Sequence, residues 1–125
     1  MYKEIGLMSV IEEKLESLSK SKFRSSFHLR KYMIDYIKEK GLNKIELDAY
    51  DFIRTRISDT SKFIEGKQTP MKSHPVFIAE HATATCCRGC LYKWHHIPKN
   101  RLLTNHEIDF CVALIMAWIK KEMDN

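Results

Sequence analysis

The stretch Thr104-Asn-His-Glu-Ile-Asp-Phe-Cys-Val-Ala-Leu-Ile-Met-Ala-Trp-Ile119 predicts the clearest helix of the chain. Its threonine and the glutamate three residues later form a capping box, in which each side chain bonds the backbone N–H of the other residue. Apolar residues then recur at steps of three and four and form one continuous stripe. Because such a stripe has to be buried against other elements, the stretch predicts a packed helical core.

Similar periodicity predicts three further helices nearer the N-terminus. They run from about Lys3 to Ser19, from about Arg30 to Lys40 and from about Lys44 to Ser58, and Gly41 is placed to end the second. We therefore predict a mainly α, compact single domain, residues 1–125, with four to five helices. The N-terminal helix, residues 1–20, is expected at its periphery.

The middle of the chain has a different pattern. From Asp59 to Pro75 no period is visible, which predicts a long central loop. The apolar run Val76 to Ala79 fits either one short buried strand or the start of a buried helix. Residues 66–101 contain most of the side chains that could bind a metal ion, act as nucleophiles or contact an anionic partner, so we expect the functional site there.

Length and composition place the chain among small globular proteins. A chain of 125 residues with 44% apolar and 30% charged residues is long enough for one core and too short for two ordinary domains. No apolar run approaches the roughly 20 residues of a membrane span, and acidic residues interrupt every candidate signal-peptide core. Three of the four cysteines crowd into five positions, whereas a secreted disulfide framework spreads them apart. We expect a cytoplasmic protein with no membrane partner.

The excess positive charge is confined to one segment. The net charge is +5, and residues 54–101 hold nine basic and three acidic residues, a surplus of six. Such a segment predicts an anionic partner, either nucleic acid or an acidic protein. Phe77, Tyr92 and Trp94 add rings that stack on bases, which single-strand binders combine with basic side chains. The basic residues predicted to contact nucleic acid are Lys67, Lys72, Arg88, Lys93, Lys99 and Arg101.

Side chains that bind metals lie in the same segment. Cys87-x2-Cys90-x4-His95 has the spacing of the first three ligands of a zinc knuckle, but Asn100 stands where the fourth ligand belongs. Zinc prefers thiolate and imidazole ligands in a tetrahedral set. We predict a zinc site formed by His81, Cys87, Cys90 and His95. The other candidates for the fourth ligand are His74, Cys86 and Cys111.

Two other interpretations of the cysteines are open. Cys87-Arg-Gly-Cys90 is a C-x-x-C motif, and a break before Cys86 would place the three cysteines in the first turn of a new helix. There the helix dipole and the neighbouring Arg88 lower a thiol pKa, so Cys86, Cys87 and Cys90, with His81 or His95 as base, would form a dithiol redox centre or a nucleophilic centre. Free cysteines also pack as small hydrophobes, so plain core packing is the third interpretation.

Four stretches of the chain resemble a known family. They are Gly66-Lys-Gln-Thr-Pro-Met71, His74-Pro-Val-Phe-Ile-Ala79, His81-Ala-Thr-Ala-Thr-Cys-Cys-Arg-Gly-Cys-Leu91 and Lys93-Trp-His-His-Ile-Pro-Lys99. In order and residue type they resemble the bacterial and phage family numbered 4186 among the domains of unknown function, over about Leu18 to Ile119. Ser73 and Asn100 stand where the family pattern has glycine. The resemblance implies no activity, but it implies that certain polar residues belong to the shared pattern: Gln68, Thr69, His74, His81, Thr83, Thr85 and Arg88.

Core packing alone does not require such polar residues, so the resemblance favours a functional site. The leading hypothesis is a nucleic-acid-associated binding protein with a Cys/His zinc site, encoded by a phage or mobile element. The first alternative is a thiol- or metal-dependent enzyme, with Cys86, Cys87 and His81 as candidate catalytic residues. The second is a protein-interaction module whose cysteine-rich core is purely structural.

Overall fold

Six α-helices account for most of the part of the chain that the structure describes. The computed structural model describes residues 2–59 and 67–124, with side chains from residue 6 onward. Within those ranges the helices are α1 (Tyr2–Ser19), α2 (Lys31–Lys40), α3 (Leu42–Phe52), α4 (Pro75–Ala82), α5 (Arg88–His95) and α6 (Asn105–Asp124). A 3-10 turn, Arg24–Ser26, lies between α1 and α2, and α3 continues as a π-helix over Ile53–Ser58. The predicted mainly helical single domain is confirmed, with slightly more helices than expected.

Helix α6 lies at the centre of the fold. The predicted capping box is present, because the Glu107 N–H donates to Thr104 Oγ1 at 3.1 Å and the Thr104 N–H donates to Glu107 Oε1 at 2.8 Å. Beyond this cap, Cys111, Ile115 and Ile119 are completely buried in the main apolar core. Helices α3 and α4 and the π-helix all pack against α6. The apolar stripe seen in the sequence is therefore the surface on which the other helices assemble.

Helices α2 and α3 form a pair joined at Gly41. This residue has φ +87°, a backbone conformation that only glycine adopts without strain, and its N–H donates to the Ile37 carbonyl. On either side, Met33 and Ile37 of α2 and Ile45 and Ala49 of α3 are buried at helical spacing. The prediction that Gly41 ends the second helix is confirmed.

Helix α4 is buried on every side, which explains why its sequence has no helical period. All eight of its residues are buried. His74 begins the helix by accepting a hydrogen bond from the Val76 N–H on Nδ1 at 3.0 Å, and Pro75 occupies the first turn, where a missing N–H costs nothing. The alternative of a short strand at Val76 to Ala79 is wrong, and no strand occurs within residues 2–59 and 67–124.

The predicted central loop is only partly within the described ranges. Residues 67–74 have no regular secondary structure, and residues 60–66 of the predicted loop lie outside the described residues. Gln68 and Thr69 are nevertheless buried, so the end of the loop packs into the protein. Ser73 has φ +87°. A positive φ favours glycine, which is the residue that the resemblance implies at this position.

Helix α1 lies against one side of α6. Ile11 and Leu15 pack on Leu114, whereas the side chains of residues 6–10 are exposed. Helix α1 thus contributes a small apolar cluster of its own rather than part of the main core. Among the helices that the structure describes, none combines the length and the apolar character needed to cross a membrane.

Candidate metal and thiol centre

Three cysteines come together at the start of α5. The sulfur atoms of Cys86, Cys87 and Cys90 all lie within 4.8 Å of one another. Cys87 Sγ is 3.2 Å and Cys86 Sγ is 3.6 Å from Cys90 Sγ. Cys86 and Cys87 are buried, and Cys90 is half-buried. A separate cysteine, Cys111, lies in the main core and takes no part in the cluster.

The local sequence forms this cluster by ending one helix and starting another. Helix α4 ends at Ala82, and Ala84 has the left-handed φ of +58° that turns the chain. Cys87 is then the N-cap of α5, and its sulfur accepts a hydrogen bond from the Cys90 N–H at 3.4 Å. The predicted break therefore exists, and it places Cys87 and Cys90 at the N-terminus of a new helix. Cys86 directly precedes that cap.

A buried arginine from a distant part of the chain contacts the cluster. Arg24 lies in the 3-10 turn after α1, and its guanidinium donates to Cys90 Sγ at 3.1 Å and to Cys86 Sγ at 3.6 Å. It also donates to the His81 carbonyl at 2.7 Å, which fixes its position. The sequence analysis missed Arg24, because it is about sixty residues away from the cysteines and sits in a serine-rich basic connector. Only the tertiary fold brings it to the site.

These contacts concentrate negative charge on one sulfur. Hydrogen bonds from the Cys86 and Cys87 thiols, together with the Arg24 guanidinium, lower the pKa of Cys90 to about 2. The same thiol–thiol hydrogen bonds, with burial, raise the pKa of Cys86. Cys90 is thus the sulfur of the cluster whose thiolate form is favoured, by its contact with Arg24 and by the hydrogen bonds from the neighbouring thiols.

Neither predicted histidine ligand belongs to the sulfur cluster. His81 Nε2 lies 3.2 Å from the Thr69 carbonyl oxygen and 3.0 Å from that of Pro70. His95 Nε2 lies 2.9 Å from the Thr83 carbonyl oxygen. The predicted set of His81, Cys87, Cys90 and His95 is therefore not assembled, and Cys86 is the third member instead. Backbone carbonyls of the loop and of the turn after α4 instead bond the Nε2 atoms of these two imidazoles.

His95 has an unusual environment for a histidine. Burial lowers its pKa to about 4, so the imidazole is neutral at physiological pH. A carbonyl oxygen only accepts, so the Nε2 atom carries the proton that bonds Thr83. Its Nδ1 atom is buried and has no hydrogen-bond partner among the described residues. His95 therefore keeps an unused lone pair inside the protein.

A network of buried polar side chains forms hydrogen bonds to the backbone around Cys87. The Arg88 N–H donates to Gln68 Oε1 at 3.0 Å, and Gln68 Nε2 donates to the Arg56 carbonyl at 2.8 Å. Thr69 Oγ1 donates to the Cys86 carbonyl at 2.7 Å. Two residues of the otherwise irregular loop, Gln68 and Thr69, thus fix the backbone on both sides of Cys87.

Glu80 extends this network into the core. Its carboxyl group is completely buried, and its Oε2 atom lies 2.8 Å from Thr69 Oγ1. Desolvation raises the pKa of Glu80 to about 8. The single hydroxyl proton of Thr69 is directed at the Cys86 carbonyl, which cannot donate, so Glu80 itself has to supply the proton between Oε2 and Thr69. Geometry and burial agree that Glu80 is protonated at neutral pH.

Arg88 does not lie on the surface, contrary to its predicted role in contacting nucleic acid. It is only 1% exposed, and its guanidinium donates to the carbonyls of Ser58, Pro98 and Arg101. A buried charge needs such partners, and these three carbonyls accept from three of its four terminal N–H groups, whereas Nε has no hydrogen-bond partner among the described residues. Arg88 therefore ties the start of α5 to the π-helix and to the loop before α6.

The other predicted basic residues are exposed, but two have partners within the protein. Arg101 makes a two-pronged ion pair with Glu107 at 2.7 and 2.9 Å. Lys99 Nζ lies 5.8 Å from the centre of the Tyr92 ring, which is 57% exposed. Of the rings predicted to stack on bases, Phe77 is buried and Trp94 is half-buried. The lysines predicted to contact nucleic acid are all exposed: Lys67, Lys72, Lys93 and Lys99.

Comparison with known proteins identifies the family. The model of the family described as a domain of unknown function, DUF4186, matches residues 12–120. The chain belongs to this family, since the match covers most of its length. No solved structure matches the chain.

Proposed function

We propose that this member of the DUF4186 family is a metal-binding protein, in which Cys86, Cys87 and Cys90 hold one Zn²⁺ ion. The observation that carries the proposal is the convergence of three sulfurs within 4.8 Å. With Zn–S bonds of about 2.3 Å, a tetrahedral site requires sulfurs about 3.8 Å apart. The distances of 3.2 and 3.6 Å to Cys90 are slightly shorter, so small side-chain rotations suffice.

The charge of the surroundings also favours a thiophilic divalent ion. Three thiolates and one Zn²⁺ carry a net charge of −1, and the Arg24 guanidinium that bonds two of the sulfurs compensates it. Groups that donate hydrogen bonds to metal-bound thiolates are typical of such sites, where they orient the ligands and adjust their basicity. The same arginine compensates the single Cys90 thiolate when no ion is bound. Both states are thus free of an uncompensated buried charge.

The three cysteines leave the fourth position of a tetrahedral site for another ligand. Among the described imidazoles, His95 is the best candidate because its Nδ1 lone pair is buried and unused. Its Nε2–H bond to the Thr83 carbonyl is the kind of outer contact that orients a metal-binding imidazole. A water molecule is the other candidate for this position.

Metal content tests this proposal directly. Protein purified without an affinity tag should contain about one zinc per chain, and cobalt should replace it with the intense near-ultraviolet band of thiolate ligands. Cys90→Ser should lose both the zinc and the band. The matched control is Cys111→Ala, which removes a cysteine outside the cluster and should keep one metal per chain. The proposal would be contradicted if wild-type protein from cells grown in zinc-supplemented medium contained no metal and gave no such band with cobalt.

Chelation should destabilise the protein without unfolding it. An ion that binds only the folded state adds RT ln(1 + [L]/Kd), about 4 kcal/mol at a thousandfold excess over Kd. The main core is formed by residues of α2 to α6 and the π-helix and contains no cluster cysteine. We therefore expect a chelator to lower the melting temperature of wild-type protein and to leave that of Cys90→Ser unchanged. His95→Gln should weaken cobalt binding if the imidazole is the fourth ligand.

Nucleic-acid binding is a second candidate function, and the exposed residues beside α5 favour it. Tyr92 presents an exposed ring next to Lys93 and Lys99, which combines a stacking surface with positive charge. We also propose a reducing cytoplasmic location, which fits both this role and the four free cysteines.

Salt dependence tests this second candidate. Each phosphate contact contributes about 0.7 to the slope of log K against log salt for single strands, so Lys93→Glu with Lys99→Glu should reduce the slope by about 1.4. Lys38→Glu with Lys40→Glu, at two exposed positions of α2, is the control with the same total change of charge. Nucleic-acid binding would be excluded if retention on a single-stranded DNA or RNA column changed neither with salt nor with these substitutions. Retention that an acidic polypeptide removes but an oligonucleotide does not would point to an acidic protein partner instead.

A further inference from the structure

Two sulfurs of the cluster are placed to form a disulfide bond. Cys87 Sγ and Cys90 Sγ are 3.2 Å apart, closer than the 3.6 Å between Cys86 and Cys90. Residues three apart at the start of a helix have Cα atoms about 5 Å apart, within the range that disulfides span. The sulfurs have to approach by about 1 Å to reach the S–S bond length, a movement that side-chain rotation provides.

The exposure of the three cysteines fixes the order in which a small oxidant reaches them. Cys90 is half-buried, whereas Cys86 and Cys87 are only 6% and 7% exposed. Cys90 is also the sulfur to which Arg24 and both neighbouring thiols donate. A peroxide entering from solvent therefore meets Cys90 first, and the nearest second sulfur is Cys87.

We propose that hydrogen peroxide converts the cluster into a Cys87–Cys90 disulfide and thereby releases its metal ion. The metal part of this inference rests on the proposed function. A disulfide removes two of the three thiolates, and the remaining Cys86 cannot hold zinc alone. The cluster would thus alternate between a reduced, metal-binding form and an oxidised, metal-free form.

The chemistry needs only the peroxide as oxidant. The Cys90 sulfur attacks one peroxide oxygen, the S–O bond forms as the O–O bond breaks, and the departing hydroxide takes a proton to become water. Cys90 is then a sulfenic acid. The Cys87 sulfur attacks the Cys90 sulfur, the S–S bond forms as the S–O bond breaks, and the second hydroxide leaves as water with a proton from the Cys87 thiol or, in the zinc-bound form where Cys87 is a thiolate, from solvent. The two cysteines lose two electrons, which reduce one peroxide to two waters.

Mass spectrometry and metal release test the proposal together. Zinc-loaded wild-type protein is treated with about one equivalent of hydrogen peroxide, and free zinc is followed with a coloured indicator. Peptide mapping should show a Cys87–Cys90 link with the loss of two hydrogen atoms, in proportion to the zinc released. Cys111, which is completely buried, should remain reduced and serves as an internal control.

Single variants separate the roles of the two sulfurs. Cys87→Ser should accumulate a sulfenic acid on Cys90 that dimedone traps, whereas Cys90→Ser should give no trapped adduct on Cys87. Zinc-containing protein that forms no Cys87–Cys90 link, or that traps dimedone equally on Cys86, would overturn the inference and leave the metal site standing. A Cys87–Cys90 link formed in protein that never binds zinc would overturn the metal site and leave the peroxide-reactive pair.

Discussion

Replacing the buried Glu80 carboxyl with an amide should change how the stability of the protein depends on pH. The pKa of Glu80 is about 8 in the folded protein, compared with an ordinary value of 4.5. Between these values the folded state keeps its proton and the unfolded state has lost it. The contribution of Glu80 to wild-type stability therefore falls by about 1.4 kcal/mol for each pH unit as the pH rises from 4.5 to 8. Below 4.5 and above 8 the contribution of Glu80 is constant.

The size of the effect follows from the same two values. Because the group is completely buried, no discount for solvent is needed, and the whole change amounts to about 3 to 5 kcal/mol. Glu80→Gln cannot ionise, so its free energy of unfolding lacks this slope. The amide donates one N–H to Thr69 and leaves its second N–H without a partner, which costs about 1–3 kcal/mol at every pH. The variant should thus be less stable than wild type near pH 5 and more stable near pH 8.

Urea unfolding at several pH values between 5 and 8.5, followed by far-ultraviolet circular dichroism, measures this difference. The control is Glu107→Gln at the cap of α6. Its partner Arg101 lowers the pKa of Glu107 to about 2, so Glu107 is ionised in both states throughout this pH range. Its difference from wild type should be constant. A Glu80→Gln curve parallel to wild type from pH 5 to 8 would refute the protonated state of Glu80.

Three further substitutions test the local structure. Ser73→Gly should raise the free energy of unfolding by about 0.5–1 kcal/mol, because Ser73 has φ +87°; a loss of stability in thermal unfolding would contradict this. Thr104→Ala removes the cap of α6 and should cost about 1 kcal/mol in urea unfolding, whereas an unchanged midpoint would show that the cap contributes nothing. Arg88→Lys keeps the charge but loses the fork that reaches three carbonyls, so we expect a loss of about 2–4 kcal/mol and would reject the role if the loss were below about 1.

Most of the fold could be predicted because local patterns determine it. The capping box at Thr104 and the positive φ of Gly41 are encoded by adjacent residues, and the helices around them follow from apolar periodicity. Helix α4 could not be distinguished from a strand, because a segment buried on all sides has no polar face to reveal its period. The division of the third predicted helix into α3 and a π-helix likewise has no signal in the periodicity.

The candidate site could be predicted only to the extent that it is local. Cys86, Cys87 and Cys90 are neighbours in sequence, so their proximity follows from one turn of chain. The spacing of His95 suggested a fourth ligand, but spacing does not show that the Thr83 carbonyl holds its Nε2 atom. Arg24 could not be predicted, because only the packing of the turn after α1 against α4 and α5 brings it to the sulfurs.

The buried polar side chains around the cysteines are more than the fold requires. Apolar residues in place of a buried polar or ionic network are often neutral or stabilising, so stability alone does not explain why Gln68, Thr69 and Arg88 are buried here. Their hydrogen bonds converge on the backbone on both sides of Cys87, and Arg24 converges on the sulfurs. Such a network holds the backbone around Cys87 and keeps the three thiols at fixed distances from one another. Cysteines that only fill space in a core, as small hydrophobes, do not need fixed distances between their sulfurs. This arrangement favours a cluster built for chemistry, in which the buried polar residues hold the cysteines in place.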